Sequence, residues 1–380
     1  MLILVINCGS SSAKYQLFDI AKEKVLARGM VERIGSSGSN LRYQLNGEIH
    51  NKKIACKDHY RAIRIIVDAL TDKHDGVIGS IDEIDGIGHR VVHGGEEFKE
   101  STLITKRVVD SIKKYSELAP LHNPPSLAGI KACASILEGI PQVAVFDTSF
   151  HQTMPAVAFL YGLPFRYYKN YGVRKYGFHG TSHRFVAERY AKVLGRSLKS
   201  LKLITCHLGN GCSMAAVNMG KSVDTTMGFT PLEGLLMGTR SGDLDPAVVF
   251  YIMEKESLTP ARISDILNKE SGLLGISGIS NDMRDIVKKA KSKAKSAQRA
   301  KLALEIYIYR IKKYIGAYMA AMGGLDAVIF TAGVGENNPW IVKRIKEDLK
   351  GVVPKKAKFL VIPTDEELLI ARDTYKIIKG

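Results

Sequence analysis

Two strand-turn-strand stretches carry the residue types best suited to hold a polyphosphate. Leu203 to Val217 reads Leu-Ile-Thr-Cys-His-Leu-Gly-Asn-Gly-Cys-Ser-Met-Ala-Ala-Val, and Leu2 to Asp19 follows the same plan, with Gly9, Ser10, Ser11 and Ser12 in its turn. A turn of glycine and small hydroxyls offers a run of backbone N–H groups, which together form a concavity for anions. Neither turn is followed by Gly-Lys-Ser/Thr, and no glycine cluster after a strand has GxGxxG spacing, so P-loop kinases and dinucleotide oxidoreductases are set aside. A third run, Gly333-Val334-Gly335-Glu336-Asn337, follows an apolar strand and is predicted to be a turn feeding a helix N-terminus, another natural anion site.

The charged candidates cluster beside such turns. Arg90 stands at the mouth of the apolar strand Ile84 to Val92, where a guanidinium needs an anionic partner. A structural ion pair and a bound carboxylate both satisfy its fork. Arg240 lies in a long loop, Asp224 to Pro246, with little to pack on, and reads as a phosphate clamp. Asp147 follows the buried strand Gln142 to Phe146, at the carboxyl end where ligands gather in such sheets; capping the next turn and taking part in catalysis both fit. His89 and His93 read as packed histidines. His179 and His183 are four apart, but Gly180 rather than Glu follows the first, and Thr181 is expected to cap the next helix, which leaves His179 outside it; zinc is not expected.

These groups need a scaffold of alternating strands and helices. Helices are expected over His59 to Leu70, Thr105 to Leu118, Ser126 to Leu137, from Thr181 to a stop at Gly195, from Thr259 to a stop at Gly272, and over Ala297 to Met322. Ala119 to Pro125 is expected as a proline-bounded loop, and the aromatic-rich segment from Phe150 to Tyr176 as the crossing between halves. Thr364 and Glu367 match a capping box for the last helix, which leaves Glu366 available for other work. The expected organisation is an N-terminal half over 1–149, with helix 366–380 packing back on it, and a C-terminal half over 150–365.

Composition narrows the partners. The 380 residues, 45% hydrophobic and 24% charged, suit a soluble protein of two domains. The net charge of +17 raises nucleic acid or an anionic substrate as partners, yet basic residues and aromatics are not interleaved. Lys288 to Lys301 is read as a helix with an alanine stripe at Ala290, Ala294, Ala297 and Ala300 and a solvated basic face. Five cysteines without a CxxC pair point to a reducing, cytoplasmic setting, with no signal peptide, membrane span or zinc site expected.

The motifs taken together resemble the acetate kinase family. They are Asn7 to Lys14, Gly88 to Gly95, Ala119-Pro120-Leu121-His122-Asn123-Pro124, Phe146-Asp147-Thr148-Ser149-Phe150-His151, His179-Gly180-Thr181-Ser182-His183, His207-Leu208-Gly209-Asn210-Gly211, Gly238-Thr239-Arg240-Ser241-Gly242-Asp243 and Gly333 to Asn337. The resemblance implies an α/β fold of two ribonuclease-H-like halves with a hinged cleft, as in actin, sugar kinases and heat-shock ATPases. It implies reversible phosphoryl transfer between ATP and acetate with Mg²⁺, or Mn²⁺ in its place, in a homodimer formed through the C-terminal, nucleotide-binding half. By motif, Asn7 and Glu366 correspond to metal-binding positions. Ser10, Ser12, Lys14, His207, Leu208, Gly209, Asn210, Gly211, Asp282, Met283, Arg284 and Gly333, Val334, Gly335, Glu336, Asn337 correspond to nucleotide contacts. Arg90 corresponds to the carboxylate-binding arginine, His179 and Arg240 to the groups that stabilise the transferring phosphoryl, Asp147 to the active-site acid and His122 to a supporting contact. An orienting role through Arg240 or the metal's waters is expected for Asp147. Val92, Leu121, Phe178 and Pro231 correspond to the wall around the acid's methyl group, and Val92 favours acetate over propionate, which is the alternative substrate. The resemblance leaves the basic stretch unexplained.

Overall fold

Strict alternation in the first strand decides how the first sheet is covered. In the computed structural model, which describes residues 1–45 and 47–380, β1 (Leu2–Gly9) sends Leu4 and Ile6 to one face and Ile3 and Val5 to the other, all buried. The chain divides into two compact units, residues 1–150 with 365–380, and residues 151–364.

Among the described residues the first unit holds eight strands: β1, β2 (Ser12–Asp19), β3 (Lys24–Glu32), β4 (Asn40–Leu45), β5 (Glu48–Lys53), β6 (Ile84–Val91), β7 (Thr102–Leu103) and β8 (Gln142–Phe146), in the order β5-β4-β3-β2-β1-β6-β8-β7. The run β1 to β5 is an antiparallel meander, and β6 and β8 add in parallel. Leu4, Ile6 and Leu17 pack with Ile63 and Ile66 of helix His59–Leu70 and with Ala132 and Cys133 of helix Asn123–Ile136. Ile3, Val5, Phe18 and Val143 pack with Ile370 and Ala371 of the last helix, Glu366–Lys379. That helix lies close because β6 carries glycines beneath it: a Cβ at Gly86 would come within 2.2 Å of Ile378 Cδ1, and one at Gly88 within 2.4 Å of Thr374 Oγ1.

The second unit holds β9 (Lys202–Leu208), β10 (Cys212–Asn218), β11 (Lys221–Thr225), β12 (Ala327–Thr331) and β13 (Lys358–Val361), in the order β11-β10-β9-β12-β13. Three antiparallel strands are again followed by two parallel ones. The arrangement β3-β2-β1-β6-β8 of the first unit is thus repeated, and the α/β class with duplicated ribonuclease-H-like sheets follows from it. Ser213 and Cys212 are neighbours on β10 and point to opposite faces. Ser213 meets the helix Gly180–Leu194, whereas Cys212 Sγ meets Tyr307 Oη of helix Ala297–Met322 at 3.4 Å, so the two helices cover opposite faces.

Several local expectations are corrected. Pro124 and Pro125 open the helix Asn123–Ile136 instead of bounding a loop, since proline is at home in a first helical turn. Thr181 lies inside its helix; His179, in the left-handed region at φ 56°, precedes the first turn. Gly272, at φ 65°, begins a short helix instead of ending one, and Gly333 to Asn337 is itself part of the short helix Ala332–Asn337. The last helix is capped by Asp365, which accepts from Leu368 N at 2.9 Å, and the Thr364 hydroxyl makes no hydrogen bond. The basic stretch is not one helix: helix Met283–Ala290 stops, residues 291–296 turn, and helix Ala297–Met322 begins, leaving Ala294 exposed. Helix Pro246–Glu256, capped by Asp245, begins where the long loop Asp224 to Pro246 ends and is not among the expected helices. All five cysteines are buried free thiols. Among the described residues, no helix is long and apolar enough to cross a membrane.

Candidate active site

In the first unit, parallel strands bring Arg90 on β6 beside the end of β8, because Val91 pairs with Phe146 and Asp147 N donates to Val91 O at 2.9 Å. Arg90 then grips Asp147 with two bonds, Nε to Oδ1 at 3.1 Å and Nη2 to Oδ2 at 2.5 Å. Asp147 is 1% exposed. Glu366, at the start of the last helix, places Oε2 3.8 Å from Arg90 Nε. Burial disfavours the guanidinium's charge, but Asp147 and Glu366 outweigh it and hold the Arg90 pKa above its ordinary value. Asp147 therefore holds the Arg90 guanidinium in place. Because Asp147 occupies the Nε side, the Nη1–Nη2 edge of Arg90 remains to face a second carboxylate.

The loop after β6 is fixed by a residue the sequence reading quoted only as part of a motif. Asn123, fully buried, accepts from His93 N at 3.0 Å and donates to His93 O at 2.9 Å, while Gly94 N donates to Thr148 Oγ1 at 3.3 Å. A side-chain amide that takes both backbone groups of one residue fixes that peptide as a strand partner would. This holds Val92, 6% exposed, next to Arg90; Leu121 is 67% exposed and His122 sits just before helix Asn123–Ile136. His89 is a packed histidine, bonded to Gln142 Oε1 at 2.7 Å, with burial lowering its pKa to about 4.

Asn7 and Lys14 are cross-strand partners on β1 and β2, flanking the turn that holds Ser10 and Ser12, and both line a cavity of about 290 Å³ with Glu367. Burial, then Glu366, raises the Glu367 pKa. Among the described residues no three carboxylate, histidine or cysteine side chains converge to form an all-protein metal cage. The Asn7 amide oxygen and the Glu366 carboxylate do suit Mg²⁺, which keeps several waters and is completed by substrate phosphate oxygens.

In the second unit the glycine turn Gly209-Asn210-Gly211 joins β9 to β10, and neighbouring elements converge on it. A Cβ at Gly211 would lie 3.2 Å from Arg240 Nη1 and 3.7 Å from His179 Cε1, and one at Gly209 would lie 3.7 Å from His207 Nε2 and 4.0 Å from Ala332 Cβ. His179 stacks on His207 with centroids 4.1 Å apart. Asn210 Oδ1 accepts from Asn281 Nδ2 at 3.0 Å, and Gly238 N donates to Asn210 O at 3.0 Å. Asn281 ties the turn to helix Met283–Ala290, whose exposed Asp282–Arg284 pair lies at its start and whose Met283 is buried. The Arg284 hydrogen bonds lower the Asp282 pKa to about 2.

Arg240 is a partly buried charge of this unit. Its guanidinium donates only to Pro231 O at 3.3 Å and Met237 Sδ at 3.9 Å, has no carboxylate within ion-pair distance among the described residues, and has its pKa lowered by burial. Phe178, 2% exposed, precedes His179, and its carbonyl accepts from His151 Nε2 at 3.0 Å. Glu336 is engaged by the backbone, accepting from Ala332 N at 2.8 Å and Thr364 N at 3.4 Å, while Gly333 has open space where a side chain would stand. Thus Gly209 to Gly211, His207, His179, Arg240 and the start of Ala332–Asn337 come together. The structure places Asp147, Arg90 and Glu366 together separately, in the first unit.

Comparison with known proteins agrees with this chemistry. A profile described as the Acetokinase family matches residues 2–353. An acetate kinase of Halothermothrix orenii is 54% identical, with all of both chains covered. The crystal structure of Porphyromonas gingivalis acetate kinase superimposes with a TM-score of 0.94 at 45% identity, covering 99% of each chain. A propionate kinase structure from Francisella tularensis follows at 0.91 and 40%, again with 99% of each chain. A profile over nearly the whole sequence and full-length relatives above half identity mean that the chain belongs to the acetokinase family, a family of phosphotransferases.

Proposed function

We propose that the protein transfers the γ-phosphoryl group of ATP reversibly to acetate, giving acetyl phosphate and ADP, by direct in-line displacement. The observation that carries this reading is Arg240. A partly buried guanidinium without a carboxylate partner, beside His179 and the glycine turn, is an anion site that a transferring phosphoryl group completes. The nucleotide phosphates lie along the backbone of Gly209 to Gly211 and the Gly333 segment, with His207, Asp282 to Arg284, Ser10, Ser12 and Lys14 as further contacts. Acetate takes the Nη1–Nη2 edge of Arg90, and its methyl group meets Val92, Leu121, Phe178 and Pro231.

An acetate ion is already a competent nucleophile at neutral pH, so alignment and charge neutralisation supply the catalysis. Arg90 orients the attacking carboxylate while Asp147 fixes the plane of Arg90. Arg240 and His179 meet charge on the equatorial phosphoryl oxygens, with His122 in support. Both Asp147 oxygens accept from Arg90, which disfavours an aspartyl-phosphate intermediate and supports direct transfer. Asn7 and Glu366 would hold Mg²⁺, whose contribution when bound is to neutralise and align the phosphate oxygens.

The same reading includes a cytoplasmic homodimer. Helix Pro246–Glu256 buries none of its residues and exposes Phe250 at 70% and Tyr251 at 61%, an apolar face suited to a second copy. Arg240→Ala tests the catalytic assignment. It should lower kcat by about 10²- to 10³-fold, the range for removing one preorganised charge-stabilising donor, and leave the acetate KM within a few-fold. An unchanged kcat would remove Arg240 from the reaction.

A further inference from the structure

The second unit holds a buried chain of histidines and hydroxyls of which only His179 has a place in the reaction. His179 and His183 lie one helical turn apart at the start of helix Gly180–Leu194, facing Thr205 on β9 and Ser213 on β10. Thr205 Oγ1 is 2.7 Å from His183 Nδ1, His183 Nε2 is 2.7 Å from Ser213 Oγ, and Ser213 Oγ is 2.8 Å from His179 Nδ1. Thr205, His183 and Ser213 are all fully buried.

The direction of this chain follows from counting protons. Burial, reinforced by His151 and His207, pushes the His183 pKa well below its ordinary value, so its ring is neutral, with one N–H donor and one acceptor. The Thr205 hydroxyl has one partner for its proton, His183 Nδ1. Were that nitrogen to carry the hydrogen, the buried Thr205 proton would have no acceptor, at a cost of about 1 to 3 kcal/mol. Thr205 therefore donates to His183 Nδ1. His183 then holds its proton on Nε2 and donates to Ser213 Oγ. The Ser213 proton has one remaining acceptor, His179 Nδ1, so a neutral His179 carries its own proton on Nε2. The neighbouring His151 obeys the same logic: Nε2 faces the Phe178 carbonyl at 3.0 Å and must donate, so Nδ1 accepts from Ser222 at 2.8 Å.

We propose that Thr205, His183 and Ser213 form a one-way hydrogen-bond relay that holds His179 as its Nε2–H tautomer, making it a donor to the transferring phosphoryl group. The proposal rests on the role given to His179 above and adds three positioning residues to it. The left-handed backbone of His179 belongs to the same device, because it turns the ring toward Ser213 and lays it over His207. A ring with the other tautomer would present a lone pair to an anion and repel it.

Two substitutions at one site separate the relay from simple packing. Thr205→Val keeps the shape and removes the hydroxyl, whereas Thr205→Ser keeps the hydroxyl and removes a methyl group. The relay expects Thr205→Val to lower kcat with the KM values for acetate and ATP within about twofold, and Thr205→Ser to retain most of the activity. Ser213→Ala should be more severe, about 10- to 100-fold in kcat, the range for removing a group that orients a functional histidine. Long-range ¹H–¹⁵N spectra of histidine-labelled protein read the tautomer without turnover: His179 should be protonated on Nε2 in the wild type, and this signature should weaken in Ser213→Ala. A wild-type His179 protonated on Nδ1, or a Thr205→Ser variant as impaired as Thr205→Val, would overturn the relay. A tautomer lost in Ser213→Ala with kcat unchanged would overturn it too, and would locate the fault in the role of His179 rather than in the hydrogen-bond direction.

Discussion

Replacing Arg90 by alanine separates its observed pairing with Asp147 from the acetate contact proposed for it. The guanidinium balances Asp147, a carboxylate only 1% exposed, through bonds of 3.1 and 2.5 Å. Removing one partner of such a pair leaves an uncompensated buried charge, at about 3 to 5 kcal/mol. Against a total stability of about 5 to 15 kcal/mol, the variant should still fold but unfold at clearly lower urea. Arg90→Ala with Asp147→Asn should recover much of that loss, because the stranded charge is gone. The proposed contact is with acetate. Two hydrogen bonds to a charged group, at about 1.5 kcal/mol each at the low end, are together worth roughly 3 kcal/mol, or more than a hundredfold in acetate affinity. Acetyl phosphate formation, trapped with hydroxylamine across acetate and ATP concentrations, should give an acetate KM raised by about that factor and an ATP KM within threefold. Equal rises in both would place Arg90 outside the carboxylate site, and urea curves identical to wild type would refute the buried-pair argument.

Gly211→Ala should lower kcat by about tenfold or more in steady-state assays, since its Cβ would meet Arg240 Nη1 at 3.2 Å and push aside the donor proposed to stabilise the transferring phosphoryl group. Val92→Ala should raise the kcat/KM ratio of propionate to acetate, by a change worth about 1 to 3 kcal/mol for one methylene. His89 supplies an acid-sensitivity test. Its folded pKa of about 4 lies below the unfolded value near 6.5, so the unfolded chain binds the extra proton and stability falls as pH drops from about 6.5 to 4, levelling off below. His89→Gln should flatten the stability-pH curve in that window by up to about 1.4 kcal/mol per pH unit, read from urea unfolding at stepped pH.

What the sequence made legible was local. Gly209-Asn210-Gly211 between two apolar runs specifies a tight hairpin whatever surrounds it, and Gly195 and Gly323 end their helices in the left-handed conformation that glycine adopts freely. Arg90 and Arg240 stood out because a guanidinium among apolar or glycine residues calls for an anion. The misreadings came where tertiary contacts override local preference. Thr181 is the better cap by chemistry, yet His179 takes the turn at φ 56°, where Ser213 from a distant strand engages its ring. Gly272 was read as a helix stop from its type alone. Its φ of 65° instead serves a crossing with the Arg240 loop, where a Cβ would meet Met237 O at 2.3 Å. The Thr205–His183–Ser213 cluster had no signal at all, since its members are joined only by the pairing of β9 with β10 and the docking of one helix. Asn123 was hidden likewise, because nothing local shows that its amide holds His93.

Release of ADP from ATP, followed in the presence and absence of acetate with acetyl phosphate measured in the same samples, tests the central claim most directly. The proposed site uses acetate as the nucleophile, so ADP and acetyl phosphate should appear in equal amounts and only when acetate is present. ATP hydrolysis that proceeds at the same rate without acetate, and leaves no acetyl phosphate, would contradict it.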